Sequence, residues 1–436
     1  MVKKREISIT KLIFNLIFIL FLVSLISNFL RDLIANHGFA SYEISEFLIN
    51  YQGGFVRRGL LGEILFFFVK NYGIDIGWTI KIISAVCYLF VCFFFIFSFK
   101  KRNYSLYILP LCFFCGALVI STSYWIRKDA LMICFFILAI WLLYLNKKFL
   151  SKPIKIVIIN ILLIFILLTH EVVAFFTLPI IFLLLYDLFK DEGVFKSLLL
   201  SAVSLLPSLL TFLLVILFSG NYETAQTIWD SWHIATGKET TPLGDNNALG
   251  ALSWGLKYTI IMHLKCNFLI INEGILSTLY WIITFPVIYY ITTNFLAVFR
   301  KSPGDFTENH KTVLSSIFLF QLICLSPVFI VLSIDYIRLF FYLLTSTFVI
   351  FILVPLNVTE NLFPKFFIKF TNKINNVLIR LMPPSKHIIG LLMLLIGVST
   401  YAFNFKFVYA NTVLYHVLNL LTDWLKPLID WINNIL

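Results

Sequence analysis

The sequence predicts an all-α, polytopic integral membrane protein, and three observations carry that prediction. The first is composition: 60% of the 436 residues are hydrophobic and only 13% are charged, with 48 Phe. A soluble domain is about half apolar and about a quarter charged, and its core could not hide so much apolar surface. The second is length. Several apolar runs reach the roughly 20 residues that cross about 30 Å of hydrocarbon as a helix. The third is pattern. These runs are continuous, whereas a membrane β-barrel shows alternating segments of about ten residues.

Taken in order, spans are expected at 12–30, 78–99, 104–121, 130–146, 156–170, 172–189, 197–218, 274–297, 312–334, 337–356 and 387–404, so 11 in all within a range of 10–12. The N-terminal MVKKREISITKLIFNLIFILFLVSLISNFL starts like a signal peptide. Its apolar part is too long, and no small-residue cleavage site follows, so it reads as a retained first span. Placing MVKKR inside puts 21 of the 34 Lys and Arg on that side and 13 on the other, while 7 of 22 carboxylates lie inside and 15 outside. The positive-inside rule therefore makes the N-terminus cytoplasmic. It also accounts for the formal charge of +12 without a nucleic-acid partner.

The whole chain, 1–436, reads as one membrane-embedded domain with three external segments. These are the loop 31–77 with its GGFVRRG motif, the large loop 219–273, and the tail 405–436. In the tail, apolar residues recur at helical spacing, with Trp424 and Trp431 seven apart, as in a helix lying along the interface. Six of the seven cysteines lie inside apolar runs. The CxxC pair Cys112/Cys115 has no polar second shell there, so no disulfide, metal or other cofactor is expected.

The charged motifs collect on the external face. They are Arg57-Arg58, Arg127-Lys128-Asp129 in SYWIRKDALM, His170-Glu171 in LLTHEVV, Asp245-Asn246-Asn247, and Asp335 with Arg338 in LSIDYIRLF. Five of nine arginines (31, 57, 58, 127 and 338) are external, against the orienting rule. Three of the motifs sit in connections too short to lift charge into water. A charge at a span's centre costs about 2.5–3.5 kcal/mol on insertion scales, so such residues face a cavity or a partner.

Each motif also has a structural reading. Asp129 could stabilise a helix start, and His170-Glu171 could hold two spans together. Asp335 and Arg338 could pair within one turn, and Arg57-Arg58 could reach headgroups. Jointly they suit an anion: arginine's planar fork grips phosphate oxygens and does not deprotonate. Gly53, Gly54, Gly59 and Gly62 would let backbone approach such a group and offer amides. A phosphate linking a polyprenyl tail to a sugar is such an anion. Arg57, Arg58, Arg127, Lys128 and Arg338 would bind it, and His170, with Glu171 beside it, is the leading general base, with Glu46, Glu43 and Asp129 as rivals. Trp125, with Tyr124, and the pair Trp229 and Trp232 are candidates to stack on sugar faces; Asp335 is a further substrate contact.

A multi-span chain with GG-x-x-RRG-x-x-G after span one, an RKD turn, an HE pair and a late D-x-x-R resembles the O-antigen and capsule repeat-unit polymerases of the Wzy type. More broadly it is similar to GT-C membrane glycosyltransferases. The resemblance implies glycan assembly on polyprenyl-pyrophosphate-linked oligosaccharide at the outer face of a bacterial inner membrane, without metal or nucleotide sugar. Membrane lipids and other polysaccharide-assembly proteins would be its partners. GT-C enzymes place a catalytic acid in the first external loop, where this chain offers Glu43 and Glu46. The polymerases often use a histidine in a large late loop, where it offers His233 and His263. A GT-C transferase using a polyprenyl-phosphate sugar is one alternative. A flippase for lipid-linked glycan is another, but one-sided charge and the lack of an internal repeat favour an enzyme. A non-catalytic membrane partner would leave the charged set unexplained.

Overall fold

The computed structural model describes residues 9–34, 41–114, 125–145, 149–237, 243–244, 247–254, 256–264, 274–300, 306–332 and 336–396. Among them there is no strand, and the helices follow in order. They are α1 (Ile9–Ile34), α2 (Tyr42–Phe47), α3 (Gly59–Tyr72), α4 (Ile76–Lys101), α5 (Leu109–Phe114), α6 (Asp129–Tyr144), α7 (Lys152–Thr169), α8 (Val173–Phe189), α9 (Val194–Leu217), α10 (Tyr222–Thr236), α11 (Leu256–Leu264), α12 (Gly274–Val298), α13 (Glu308–Pro327), α14 (Tyr336–Leu353), α15 (Leu356–Leu362), α16 (Lys365–Leu381) and α17 (Lys386–Ile396).

Five helical stretches are long and apolar enough to cross a membrane: Ile76–Lys101, Lys152–Thr169, Val173–Glu192, Val194–Leu217 and Glu308–Leu332. They coincide with the spans expected at 78–99, 156–170, 172–189, 197–218 and 312–334. Shorter apolar helices, Lys11–Val23, Asp129–Tyr144, Ile282–Val298 and Arg338–Leu353, occupy four further expected positions. The spans expected at 104–121 and 387–404 are described only as far as Phe114 and Ile396. The tail 405–436, Asp245, Asn246, Asp335 and Tyr124 lie outside the described residues.

Helix α6 is apolar all round, as a helix of a membrane bundle can be; it packs between α4, α7 and α14 and leaves Leu138 and Trp141 exposed. Helices α4 and α9 are sided instead. Val86, Phe93 and Phe97 on one, and Val203, Leu206 and Leu210 on the other, point away from the bundle. Polar side chains stitch spans together. Ser208 donates to Asn160 Oδ1 at 2.7 Å, and Asn160 Nδ2 donates to the Ser204 carbonyl at 2.7 Å, joining α7 to α9, as buried amides do between membrane helices.

The segments expected as external loops carry short helices. α2 and α3 lie in 31–77, with α10 and α11 in 219–273. α2, α3 and α10 enclose a second apolar cluster around Phe47, Leu65, Trp125, Trp229 and Trp232. The two segments are locked by Trp232 Nε1 donating to the Leu48 carbonyl at 2.7 Å, by the Arg57 amide to the Phe218 carbonyl at 2.9 Å, and by the Ala248 amide to Ser45 Oγ at 2.9 Å.

Candidate functional site

Five segments carry the charged motifs to one place. Ser41 accepts from the Ile44 amide at 3.4 Å and starts α2, whose last turn buries Glu46. The chain then turns through 50–58. Glu63 fixes this turn from α3, accepting from the Tyr51 amide and from Gln52 Nε2, each at 2.9 Å. Arg58 stands just before α3 with φ +66°, a left-handed conformation that costs a non-glycine residue about 1–2 kcal/mol. Arg127, Lys128 and Asp129 form the start of α6, and His170 and Glu171, with Val172, fill the three-residue corner between α7 and α8. Arg338 lies in the first turn of α14.

Glu46 is the hub. Its carboxylate is 3.0 Å from Arg127 Nε, 3.5 Å from His170 Nε2 and 3.6 Å from Arg338 Nη2. Asp129 receives Arg338 Nε at 3.0 Å and Nη2 at 2.9 Å, and also accepts the Tyr342 hydroxyl. Glu171 takes Arg58 in a two-pronged grip, Nε at 2.8 Å and Nη2 at 2.5 Å, with Arg57 at 3.5 Å. Lys128 Nζ donates to the carbonyls of Arg58 at 3.3 Å and Thr169 at 3.4 Å and lies 5.7 Å from the Phe47 ring. The Arg127 guanidinium sits 4.9 Å over the Tyr42 ring.

The cluster has a floor and a mouth. Glu46, Arg127, Lys128, Asp129 and His170 are fully buried, whereas Arg57, Arg58, Glu171 and Arg338 keep 13–20% of their side chains exposed. Among the described residues five cations of this set face three carboxylates.

Burial alone would raise the Glu46 carboxyl, but Arg127 and then Arg338 outweigh it and hold the group well below the carboxylate range. Burial likewise opposes ionisation of Glu171, and Arg58 overrides it. Burial lowers Lys128 to about 8, with Glu46 opposing. Burial, followed by the Arg58 charge, lowers His170 to about 3, so its imidazole is neutral at physiological pH.

A stability dependence follows. Between the ordinary histidine value of 6.5 and about 3, the unfolded chain takes up a proton that the folded chain refuses. The contribution is therefore complete above 6.5 and is lost as pH falls through that window. Unfolding free energy measured in mixed micelles should fall with a His170-dependent slope approaching about 1.4 kcal/mol per pH unit. His170→Gln should flatten that part of the curve, most cleanly from pH 6.5 down to about 5.5, before carboxylates of the unfolded chain, with an ordinary value of 4.5, take up protons. Superimposable curves for the two proteins would sink the assignment.

The charges Arg57, Arg58, Arg127, Lys128, Asp129, His170, Glu171 and Arg338 thus meet, and Glu46 joins them. Other expected contacts lie elsewhere. The Gly54 amide, expected to face an anion, donates to the Tyr51 carbonyl at 3.0 Å. Gly53 packs against the Thr224 backbone, where an added Cβ would lie 2.7 Å from the carbonyl oxygen. Trp125 is buried with its ring 4.6 Å from that of Phe29, and Trp229 and Trp232 are buried too. These rings are core rather than sugar platforms, because the external helices close over them. Glu43 is half-buried in α2. His233 packs edge-on to Trp229 at 4.9 Å, and His263 is buried in α11. Arg338 pairs with Asp129, across 209 residues of chain. Sequence reasoning missed Tyr342 and Tyr42; Tyr342 follows Arg338 by four positions, so the same helix face carries both. No protein family, curated protein or solved structure matches the chain.

Proposed function

We propose that the chain is a membrane glycosyltransferase that holds a polyprenyl-linked phosphate or pyrophosphate in this cluster and transfers the attached glycan, as a repeat-unit polymerase does. The observation that carries this reading is the meeting of three partly exposed arginines, Arg57, Arg58 and Arg338, at the mouth of a buried charged cluster. Buried charge is costly unless balanced, and a phosphate group entering beside Arg57, Arg58 and Arg338 would balance it with oxygens that suit guanidinium forks.

In the transfer, an acceptor hydroxyl attacks the anomeric carbon. The bond from that carbon to the phosphate oxygen breaks, and the electron pair leaves on the oxygen, where the arginines stabilise it. The hydroxyl proton goes to the neutral His170 imidazole, whose Nε2 lies 3.5 Å from Glu46 Oε1, and the Glu46 carboxylate balances the imidazolium that forms. The anion's own negative charge raises the basicity of both groups by screening the arginines. A second reading is addition of a single sugar from a polyprenyl phosphate. The position of Glu46 in the first external segment favours it, since GT-C enzymes keep an acid there.

The test is complementation. A strain lacking the gene is restored with wild type, Arg58→Ala, Arg338→Ala and His170→Ala, and its surface polysaccharide is displayed on a gel, with membrane levels checked. Each variant should lose about 10²-fold or more of activity. A null strain with one repeat unit on its anchor supports the polymerase; an unfinished unit supports the single-sugar transferase. Full-length polymer from all three variants would overturn the reading.

A further inference from the structure

Helix α16 is built unlike any span. Four of its exposed polar residues each precede an exposed apolar one: Lys365-Phe366, Lys369-Phe370, Asn376-Val377 and Arg380-Leu381. One position is a rotation of about 100° on a helix. The polar members therefore form one stripe, joined by Lys373, and the apolar members form a second stripe beside it. The apolar stripe is open: Phe366 is 73% exposed, Phe370 54%, Val377 49% and Leu381 72%. The third side is fixed to the bundle. Thr312 donates to Asn372 at 3.1 Å, Ser316 and Thr371 are 3.2 Å apart, and Tyr290 donates to the Met382 carbonyl at 2.7 Å.

These anchors place the helix. Thr312 and Ser316 lie in the first turns of α13, whose helical run continues to Leu332. Its 25 residues rise about 37 Å, and α14 then carries Arg338 of the charge cluster in its first turn. α16 thus sits at the opposite end of the bundle from the cluster, the end that the distribution of Lys and Arg makes cytoplasmic. Lys369, Lys373 and Arg380 line one shallow depression with Asn372 and Asn376, and no carboxylate pairs with those three cations among the described residues.

We infer that α16 lies in the headgroup layer of the cytoplasmic leaflet and binds an anionic phospholipid, with its phosphate between Lys369, Lys373 and Arg380 and its acyl chains along Phe366, Phe370, Val377 and Leu381. The two adjoining stripes match the two halves of such a lipid: a cationic row suits the phosphate, and the apolar row meets the acyl boundary. Cations with free rotamers at the rim of a depression, beside exposed phenylalanines, are poorly suited to water alone. This inference is independent of the proposed transferase activity.

Native mass spectrometry of the full chain in detergent tests it, with phosphatidylglycerol or phosphatidylcholine added. Wild type should hold at least one phosphatidylglycerol about 100-fold more tightly than the triple variant Lys369→Gln/Lys373→Gln/Arg380→Gln, with phosphatidylcholine retention the same in both. The triple variant Lys100→Gln/Lys101→Gln/Lys196→Gln removes equal charge from other exposed positions and should retain phosphatidylglycerol like wild type. Equal retention by wild type and the α16 variant overturns the inference. So does equal loss from the control variant, displacement of the lipid by millimolar inorganic phosphate, or a chain dimer that the α16 substitutions dissolve.

Discussion

Glu46→Ala should destabilise the protein by about 3–5 kcal/mol, the cost of removing one partner from a buried ion pair. Glu46 and Arg127 each expose 1% of their side chains, so water cannot take over the lost role. The same carboxylate also faces His170 and Arg338, which extends the damage to the floor of the cluster. Unfolding free energy in mixed micelles checks the number, and a loss below about 1 kcal/mol would show that the pair carries little. The double variant Glu46→Leu/Arg127→Met should recover most of the loss, because replacing both ions by apolar groups of similar volume is often neutral. The resulting cycle separates the pair from the rest of the network. A folded but inactive double variant would also separate stability from function.

Gly62→Ala should be nearly as severe without touching a charge. A Cβ at this position would lie 1.9 Å from the Ile49 carbonyl oxygen and 2.8 Å from that of Phe47. Both neighbours are backbone, so no rotamer change relieves the clash. Either α3 or the segment leaving α2 must move, and the cost reaches about 3 kcal/mol, the upper end for overpacking. α3 carries Arg58 at its head, and the segment that moves follows directly on the last turn of α2, which holds Glu46, so the shift also separates two members of the cluster. Gly54→Ala is the contrast. It meets open space and bears only the strain of φ +99°, about 1–2 kcal/mol. Thermal unfolding of both variants beside wild type decides the matter: equal shifts for the two would mean that the close packing of α3 on Ile49 is not limiting.

The spans were legible in the sequence because hydrocarbon imposes one requirement, an apolar helix of a given length, and composition alone reports it. The charged motifs were legible for a related reason, since short corners such as that of His170-Glu171 leave charge nowhere to go. Their meeting was not legible. Sidedness fixes the height of a residue in the bundle but not its direction around it, and only the packing of α6 against α14 and α7 sets that. Asp335, the partner that spacing suggests for Arg338, lies outside the described residues, and Asp129 reaches Arg338 from another helix. The tryptophans misled because interfacial rings and core rings share a sequence signature. What separates them is whether something covers them: Phe66 of α3 packs edge-on to the Trp232 ring at 5.1 Å, and the Phe29 ring lies 4.6 Å from that of Trp125.

The pairing of Asp129 with Arg338 bears on how the protein is made. The two residues are 209 apart in the chain, and synthesis at about 5–20 residues per second separates them by roughly 10–40 s. For that interval Glu46, Arg127 and Asp129 stand in a nascent bundle that lacks its last arginine. A ribosome stalled before residue 338 would release a chain in which Asp129 lacks the guanidinium that it pairs with. Completion of the cluster is thus a late event of synthesis: only a chain translated into α14 supplies the arginine that Asp129 pairs with.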